Sequence, residues 1–361
     1  MRLKVILFFI LFLPAITANS GQTGPYKPLA AYKIDSMWYF VNYDGNQIFA
    51  PKKLNNVLGY SEGFYCVSVM INNNEKWGYL DSTGKFIIEP KYDVAQLFSE
   101  GFATVYEFPL NLGEPSLISY INRNGKPINK DTLIDAISFS EGYGFVFTKN
   151  GKSGYIDTSG DFVIDLKELV GNKFSEDLAV VTNYDLFAGF INKKGEIVIP
   201  VQFESAKKFS EGLAPVNKNS KYNFINKQGE FVITGDFDVV HNFNEGIAFV
   251  GDFYPKSLMT LWGFIDKSGK LIQDYKYNAV WDFSEGTAAV RDSLYWGFID
   301  KKGNYIIEPV YTYASGFIDG FAWASKKDEE VFGYINKQAD YIIKFDNFEK
   351  LIDLRLNKRM Y

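Results

Sequence analysis

Tyr295-Trp296-Gly297-Phe298-Ile299-Asp300-Lys301-Lys302-Gly303 is a phrase that returns along the whole chain. Trp262-Gly263-Phe264-Ile265-Asp266-Lys267-Ser268-Gly269 is nearly identical, and Trp77-Gly78-Tyr79-Leu80-Asp81-Ser82-Thr83-Gly84 is a close variant. Aligned on the aromatic after the first Gly, the copies are centred on Phe40, Tyr79, Tyr120, Tyr155, Phe190, Phe224, Phe264, Phe298 and Tyr334, in steps of 34 to 41 residues. A period of that size indicates repeat architecture rather than one unrepeated globule.

One copy reads as four short strands. Leu213 to Val216 alternates small and apolar residues, and Tyr222 to Asn226 follows after a polar turn. Asn226-Lys227-Gln228-Gly229 has Asn first and Gly fourth, as a type I turn closed by a left-handed Gly requires. Glu230 to Ile233 is rich in β-branched and aromatic residues, and Phe237 to Val240 is a weaker strand. Copies close on Phe98-Ser99-Glu100-Gly101, Phe139-Ser140-Glu141-Gly142, Phe209-Ser210-Glu211-Gly212, Phe243-Asn244-Glu245-Gly246 and Phe283-Ser284-Glu285-Gly286. In this phrase Phe anchors the turn, Ser and Glu are expected to bond to local backbone N–H groups, and Gly takes a positive φ. Phe174-Ser175-Glu176-Asp177 lacks the Gly, so its turn should be less ideal. Tyr39, Ser119 and Asn223 replace the Gly that follows Trp elsewhere, which points to local crowding there rather than to a backbone angle.

The Trp-Gly pairs, the Ile-Asp-Lys-x-Gly turns, the Ile-Ile-Glu-Pro phrases at Ile87 to Pro90 and Ile306 to Pro309, and the Phe-Ser-Glu-Gly closures together resemble the WG repeat family of bacterial proteins, also called KWG repeats. The likeness covers nearly the whole chain after the leader. It departs where Ser153, Ala188, Tyr222 or Phe332 stands in place of Trp. The resemblance implies a binding role and brings no catalytic residues with it.

The fold class is therefore all-β, a tandem array of about nine β-meander repeats over residues 29–345. An open superhelical array accepts any copy number and is favoured; a closed β-propeller of that many blades, an unusually large ring, is the alternative. Residues 1–20 read as a signal peptide, with Arg2 and Lys4 before a short apolar run and cleavage between Ala18 and Gly21. Residues 21–28 form a linker. Residues 346–361 form a C-terminal cap or tail in which Leu351, Ile352, Leu354 and Leu356 suit a short helix. The expected destination is the periplasm, the cell surface or the medium, with no membrane span in the mature chain. Cys66 is the single cysteine and forms no disulfide within the chain.

A net charge of -5 without a Lys/Arg block argues against nucleic acid as a partner. No nucleophile elbow, phosphate loop or zinc-binding helix is present, and His241 stands alone, so the chain reads as no enzyme, with no cofactor and no metal. The exported chain is expected to bind a protein in the cell envelope or outside the cell. The alternative is a glycan or cell-wall ligand on exposed aromatics such as Trp281, Trp323 and Tyr313, and an enzyme ranks last. Length variation marks the candidate binding loops. Pro109, Leu110, Leu112 and Pro115 lie in one insertion and Phe253, Tyr254, Pro255 and Met259 in another, both between the first and second strands of the sequence repeat.

Overall fold

The computed structural model describes residues 27–109, 116–254, 259–326, 331–345 and 349–355. The leader region, Leu110, Leu112, Pro115 and Pro255 lie outside them. The described residues form antiparallel sheets and no helix. They group into nine blades of up to four strands, numbered here in chain order, with blades 3 and 4 joined into one seven-stranded sheet through the Leu133–Ile118 pair. Blade 1 takes residues 28–52, blade 2 56–92, blade 3 94–129, blade 4 133–165 and blade 5 170–203. Blade 6 takes 205–237, blade 7 239–277, blade 8 279–311 and blade 9 313–345. Blade 7 is typical, with strands Val239–Val240, Ile247–Tyr254, Met259–Asp266 and Leu271–Tyr277 paired in that order.

The copies close into a ring. Lys350–Asp353 is a strand, not the expected helix, and it pairs with Pro28–Ile34 to become the first strand of blade 1. Leu29, Ala30 and Val41 of blade 1 then share one buried cluster with Tyr334 and Phe345 of blade 9. Every other pair of neighbouring blades is joined by a cluster of its own. Of the two arrangements the sequence allowed, the closed propeller is the one formed, and the open superhelix is not. Because the C-terminal strand completes the N-terminal blade, the two edges of the array cover each other.

The two aromatic signatures of the repeat are partners across blade boundaries. Tyr79 packs on Phe98, Tyr120 on Phe139, Phe190 on Phe209 and Phe298 on Phe317, with ring centroids 4.8–4.9 Å apart. Such tilted and edge-on pairs add to the burial of the rings themselves. Where the first partner is Tyr, its hydroxyl donates to an inner-strand carbonyl of the next blade, as Tyr79 does to Gln96 at 2.7 Å and Tyr155 to Asn172 at 2.6 Å. This ring pair recurs in seven copies, from Tyr79 to Phe298, and accounts for much of the aromatic content.

The closing turns also work between blades, which corrects the local role expected of their Ser and Glu. Ser99 Oγ donates to the Phe139 carbonyl at 2.9 Å, and Ser61, Ser140, Ser175, Ser210 and Ser284 repeat that bond to the next blade. A serine side chain is short, so these bonds form only where neighbouring blades converge. The first strands therefore line the axis. Each Glu side chain accepts backbone N–H groups of the next closing turn: Glu100 from Glu141 and Gly142, Glu245 from Glu285 and Gly286. This inter-blade ladder offsets the left-handed backbone of the glutamates themselves, which stand at φ 54° in both Glu100 and Glu245. The glutamate carboxylates are thereby engaged by backbone N–H groups and, in several blades, by lysine.

Asp177 takes the Gly position of the blade 5 turn at φ 70°. Its ion pair with Lys193 is largely exposed and contributes little. Asp177→Gly is therefore expected to stabilise the protein by about 0.5–1 kcal/mol through relief of that strain. The shift would be read from the urea midpoint, and an unchanged or lower midpoint would contradict it.

The crowding at the Gly after Trp comes from the backbone of the fourth strand. A Cβ on Gly297 would lie 2.7 Å from the Ile307 carbonyl oxygen, and one on Gly154 would lie 1.9 Å from that of Ile164. The three exceptions now have a reason. In blades 1 and 3 the fourth strand is reduced to isolated bridges, so Tyr39 and Ser119 have room. In blade 6 the fourth strand supplies its own glycine, Gly235, whose N–H reaches the Asn223 side chain at 3.4 Å.

Candidate functional site

Antiparallel strands send the turns between strands one and two, and between three and four, to one face of the ring. The hairpins between strands two and three go to the other. Relative to the blades, both candidate insertions belong to that second class. The first extends the hairpin of Phe102–Glu107 and Leu117–Asn122 in blade 3, the second that of Ile247–Tyr254 and Met259–Asp266 in blade 7. They rise from the same face, four blades apart on a ring of nine, and so stand nearly opposite each other.

The two faces differ in chemistry. On the first, Asp or Asn begins each tight turn and caps it: Asp300 Oδ1 accepts the N–H groups of Lys302 and Asn304 at 2.9 Å. The lysine of that turn then reaches back to the preceding blade. Lys193 meets Glu141, Lys227 meets Glu176, Lys267 meets Glu211, and Lys301 meets Glu245, at 3.1–3.3 Å. Burial works to raise the Glu245 carboxyl, but the Gly286 amide and the Lys301 ammonium outweigh it and hold the group below its ordinary value. At the closure Tyr43 replaces the lysine and donates to Asp319 at 2.6 Å, beside Lys27. This face is a polar ladder.

The hairpin face carries exposed apolar side chains in most blades. Met70 and Ile71 are exposed in blade 2, Phe108 and Leu117 in blade 3, Tyr184, Leu186 and Phe187 in blade 5, and Phe253, Tyr254 and Met259 in blade 7. Leu294 and Tyr295 follow in blade 8 and Phe332 in blade 9. Thus six of the nine blades place large apolar side chains on one rim. Leu186 is both 74% exposed and held at φ 67°, a backbone region that a leucine rarely enters. Leu186 N–H closes this turn on the Asn183 carbonyl at 3.0 Å, in the left-handed position that glycine fills in comparable turns.

Of the residues the sequence singled out, Phe253, Tyr254 and Met259 are exposed on this rim and Pro109 is half-buried beside it. Tyr184, Leu186, Phe187, Leu294 and Tyr295 were missed because their hairpins are short and length variation was the signal used. A large apolar residue inside a tight polar turn was a sharper signal. Elsewhere, Trp281 and Tyr313 are partly exposed on the inner strands of blades 8 and 9, while Trp323 packs against Tyr334 and Phe345. His241 Nδ1 donates to the Asp282 carboxylate at 2.6 Å and its ring lies edge-on to Trp262 at 4.7 Å. Cys66 is fully buried, and burial pushes its thiol well above the ordinary value. Among the described residues no cluster of three His, Cys, Asp or Glu is arranged to hold a metal ion.

The WG containing repeat matches residues 77–107, 189–222, 224–251, 262–292 and 296–329. The chain contains WG repeats. Each matched stretch begins on the third strand of one blade and ends on or just after the second strand of the next, or where that strand's partner begins. The WG unit is thus offset from the blade by two strands, and every unit ties two blades together. No curated protein matches the sequence. Among solved structures, a eukaryotic initiation factor is similar over 91% of this chain and 98% of its own, at 11% identity and a TM-score of 0.64. BamB from Moraxella catarrhalis covers 87% of this chain and 97% of its own at 9% identity, with a TM-score of 0.45. At these identities the first likeness concerns the fold alone, and the second carries no further argument.

Proposed function

We propose that this chain is an exported, non-catalytic scaffold that holds a protein partner on its apolar hairpin rim. The observation that carries the reading is the asymmetry of the two faces. Exposed Leu, Phe, Tyr and Met side chains recur on one rim, while the opposite turns are given over to Glu, Lys and Asn. Apolar patches of this kind mark interaction surfaces, and aromatic anchors dominate the energetics of protein interfaces. Export rests on the leader-like residues 1–20, and N-terminal sequencing of the chain from the envelope or medium tests it: a cut between Ala18 and Gly21 is expected, and an intact Met1 would overturn it. His241 is held by Asp282 and packs edge-on against Trp262, which agrees with a structural role for this side chain.

The partner is to be captured from envelope extract with the mature chain and its affinity measured for two double variants, Leu186→Ser with Phe187→Ser and Tyr254→Ser with Met259→Ser. Each pair is expected to weaken binding by roughly ten-fold or more, since a truncated hot spot contributes about 1 kcal/mol or more. Melting should change little, because exposed positions tolerate substitution within about 0.5 kcal/mol. Full affinity in both variants would remove the rim from the function. Trp281 and Tyr313, partly exposed on adjacent inner strands, favour a glycan as the second reading. Quenching of tryptophan fluorescence by cell-wall oligosaccharide, lost in Trp281→Ala, would support it.

A further inference from the structure

Three phenylalanines of the hairpin rim, Phe108, Phe187 and Phe253, are 42–54% exposed and share a second feature. The backbone N–H of each donates to a side-chain oxygen at the same 2.8 Å: Phe108 to Asp93 Oδ2, Phe187 to Asn183 Oδ1 and Phe253 to Asp238 Oδ2. In blades 3 and 7 the acceptor sits where the chain enters the blade, and in blade 5 it sits in the turn itself. At both entry points a lysine of the preceding blade holds the other carboxylate oxygen, Lys76 on Asp93 at 2.6 Å and Lys221 on Asp238 at 2.7 Å. A backbone N–H at the outer end of a hairpin is within reach of water and needs no such partner to be satisfied. What the bond adds is a fixed backbone beneath an exposed ring.

The three rings stand in blades 3, 5 and 7, every second blade along one arc of the ring. Blades 4 and 6 between them carry the same phrase at the tip, Lys149-Asn150-Gly151-Lys152 and Lys218-Asn219-Ser220-Lys221. Lys149, Lys152 and Lys218 are exposed there, and Lys152 and Lys218 lie 5.8 and 5.4 Å over the rings of Phe162 and Phe231. Acidic residues fall at the apolar tips instead, as Glu107, Asp185 and Asp252. Apolar tips with a carboxylate thus alternate with basic ones. Interfaces set opposite charges against each other, so the complement of this arc has the same alternation, with carboxylates between its apolar contacts rather than beside them.

We propose that the arc from blade 3 to blade 7 is the docking track for one elongated segment of a protein partner, which sets apolar side chains on Phe108, Phe187 and Phe253 and carboxylates over the lysines between them. Asp93, Asn183 and Asp238 are positioning residues. They fix the backbone beneath each ring, so that less freedom is lost on binding. One exposed ring is a weak anchor by itself. Three on a rigid frame reinforce one another only when a single molecule touches them all. The inference rests on the protein-binding reading of the rim and narrows it to one side of the ring.

Amide hydrogen exchange of the chain by itself gives the first test. The N–H groups of Phe108, Phe187 and Phe253 should be protected, and of the three Asp93→Ala should release only that of Phe108; lack of protection in the unmodified chain overturns the proposal. Calorimetric titration with the protein captured from envelope extract, purified, gives the second. One partner molecule per chain is expected. Phe108→Ser and Phe253→Ser should each weaken binding roughly five-fold or more, and Tyr295→Ser, on the rim but off the arc, by less than about two-fold. Lys149→Glu with Lys218→Glu should also weaken it and reduce its dependence on salt. Asp93→Ala and Asp238→Ala should weaken it as well, whereas Asp93→Asn and Asp238→Asn, which keep an acceptor oxygen, should restore most of the affinity. Two or more partner molecules per chain, or an equal loss in the Tyr295 variant and the arc variants, overturns the arc and leaves the rim standing. A partner indifferent to every rim substitution, or no captured partner, refutes the rim reading and this inference with it.

Discussion

Removal of residues 349–361 is expected to open the ring and to cost the protein its cooperative fold. The deleted strand pairs Asp353 with Ala30, Ile352 with Ala31, Leu351 with Tyr32 and Lys350 with Lys33. Its loss uncovers Leu29, Ala30, Ala31 and Tyr334, each at 0% exposure. It also removes Arg355, whose guanidinium is 2% exposed and grips both oxygens of Asp353 at 2.7–3.0 Å. The same group donates to the Ile318 and Phe321 carbonyls of blade 9 and lies 4.6 Å over the Tyr334 ring. Arg355→Met isolates that contribution. It leaves Asp353 buried without its cation, a change that costs about 3–5 kcal/mol. The deletion should do more, since it adds the lost pairing and leaves a sheet edge on each side of the gap. Thermal unfolding followed by circular dichroism reads both. A truncated chain that melts within about 3 °C of the full one would show that the closing strand does not hold the ring.

The second large effect is expected from a single methyl group. A Cβ on Gly154 would stand 1.9 Å from the Ile164 carbonyl oxygen and 2.5 Å from the Phe162 ring. The contact is with backbone, so no side-chain rotation relieves it. Third and fourth strands of blade 4, paired at Gly154 with Asp165 and at Tyr155 with Ile164, must separate or bend. Gly154→Ala is therefore expected to destabilise by about 3 kcal/mol. Ser119→Ala, at the equivalent place in blade 3 where the fourth strand is only bridged, should change stability by less than about 1 kcal/mol. Equal effects in the two variants would mean that the approach of the fourth strand is not what selects glycine.

The local grammar of the chain was legible from residues alone. Asn226-Lys227-Gln228-Gly229 forms the capped turn its composition requires, with Gly229 at φ 80° and Gly303 at φ 86° in the matching turn. The period of the aromatics located every blade, because each ring must be buried and each copy buries it in the same way. Two of the insertions that vary in length were also legible, and the described residues Phe253, Tyr254 and Met259 are exposed on the hairpin rim. The apolar tips in blades 5 and 8 were not, because a short hairpin gives no length signal.

Closure was decided only in three dimensions. Nine meanders can stack as a superhelix or as a ring with the same strands and turns, and the difference is a small rotation per copy that no single repeat encodes. What selects the ring is the meeting of Lys350–Asp353 with Pro28–Ile34, more than 300 residues apart in sequence. The partners of the Ser and Glu in the closing turns were hidden for the same reason. Sequence shows a turn residue with a polar side chain, but whether that side chain bonds within its turn or to the next blade depends on how close the next blade comes.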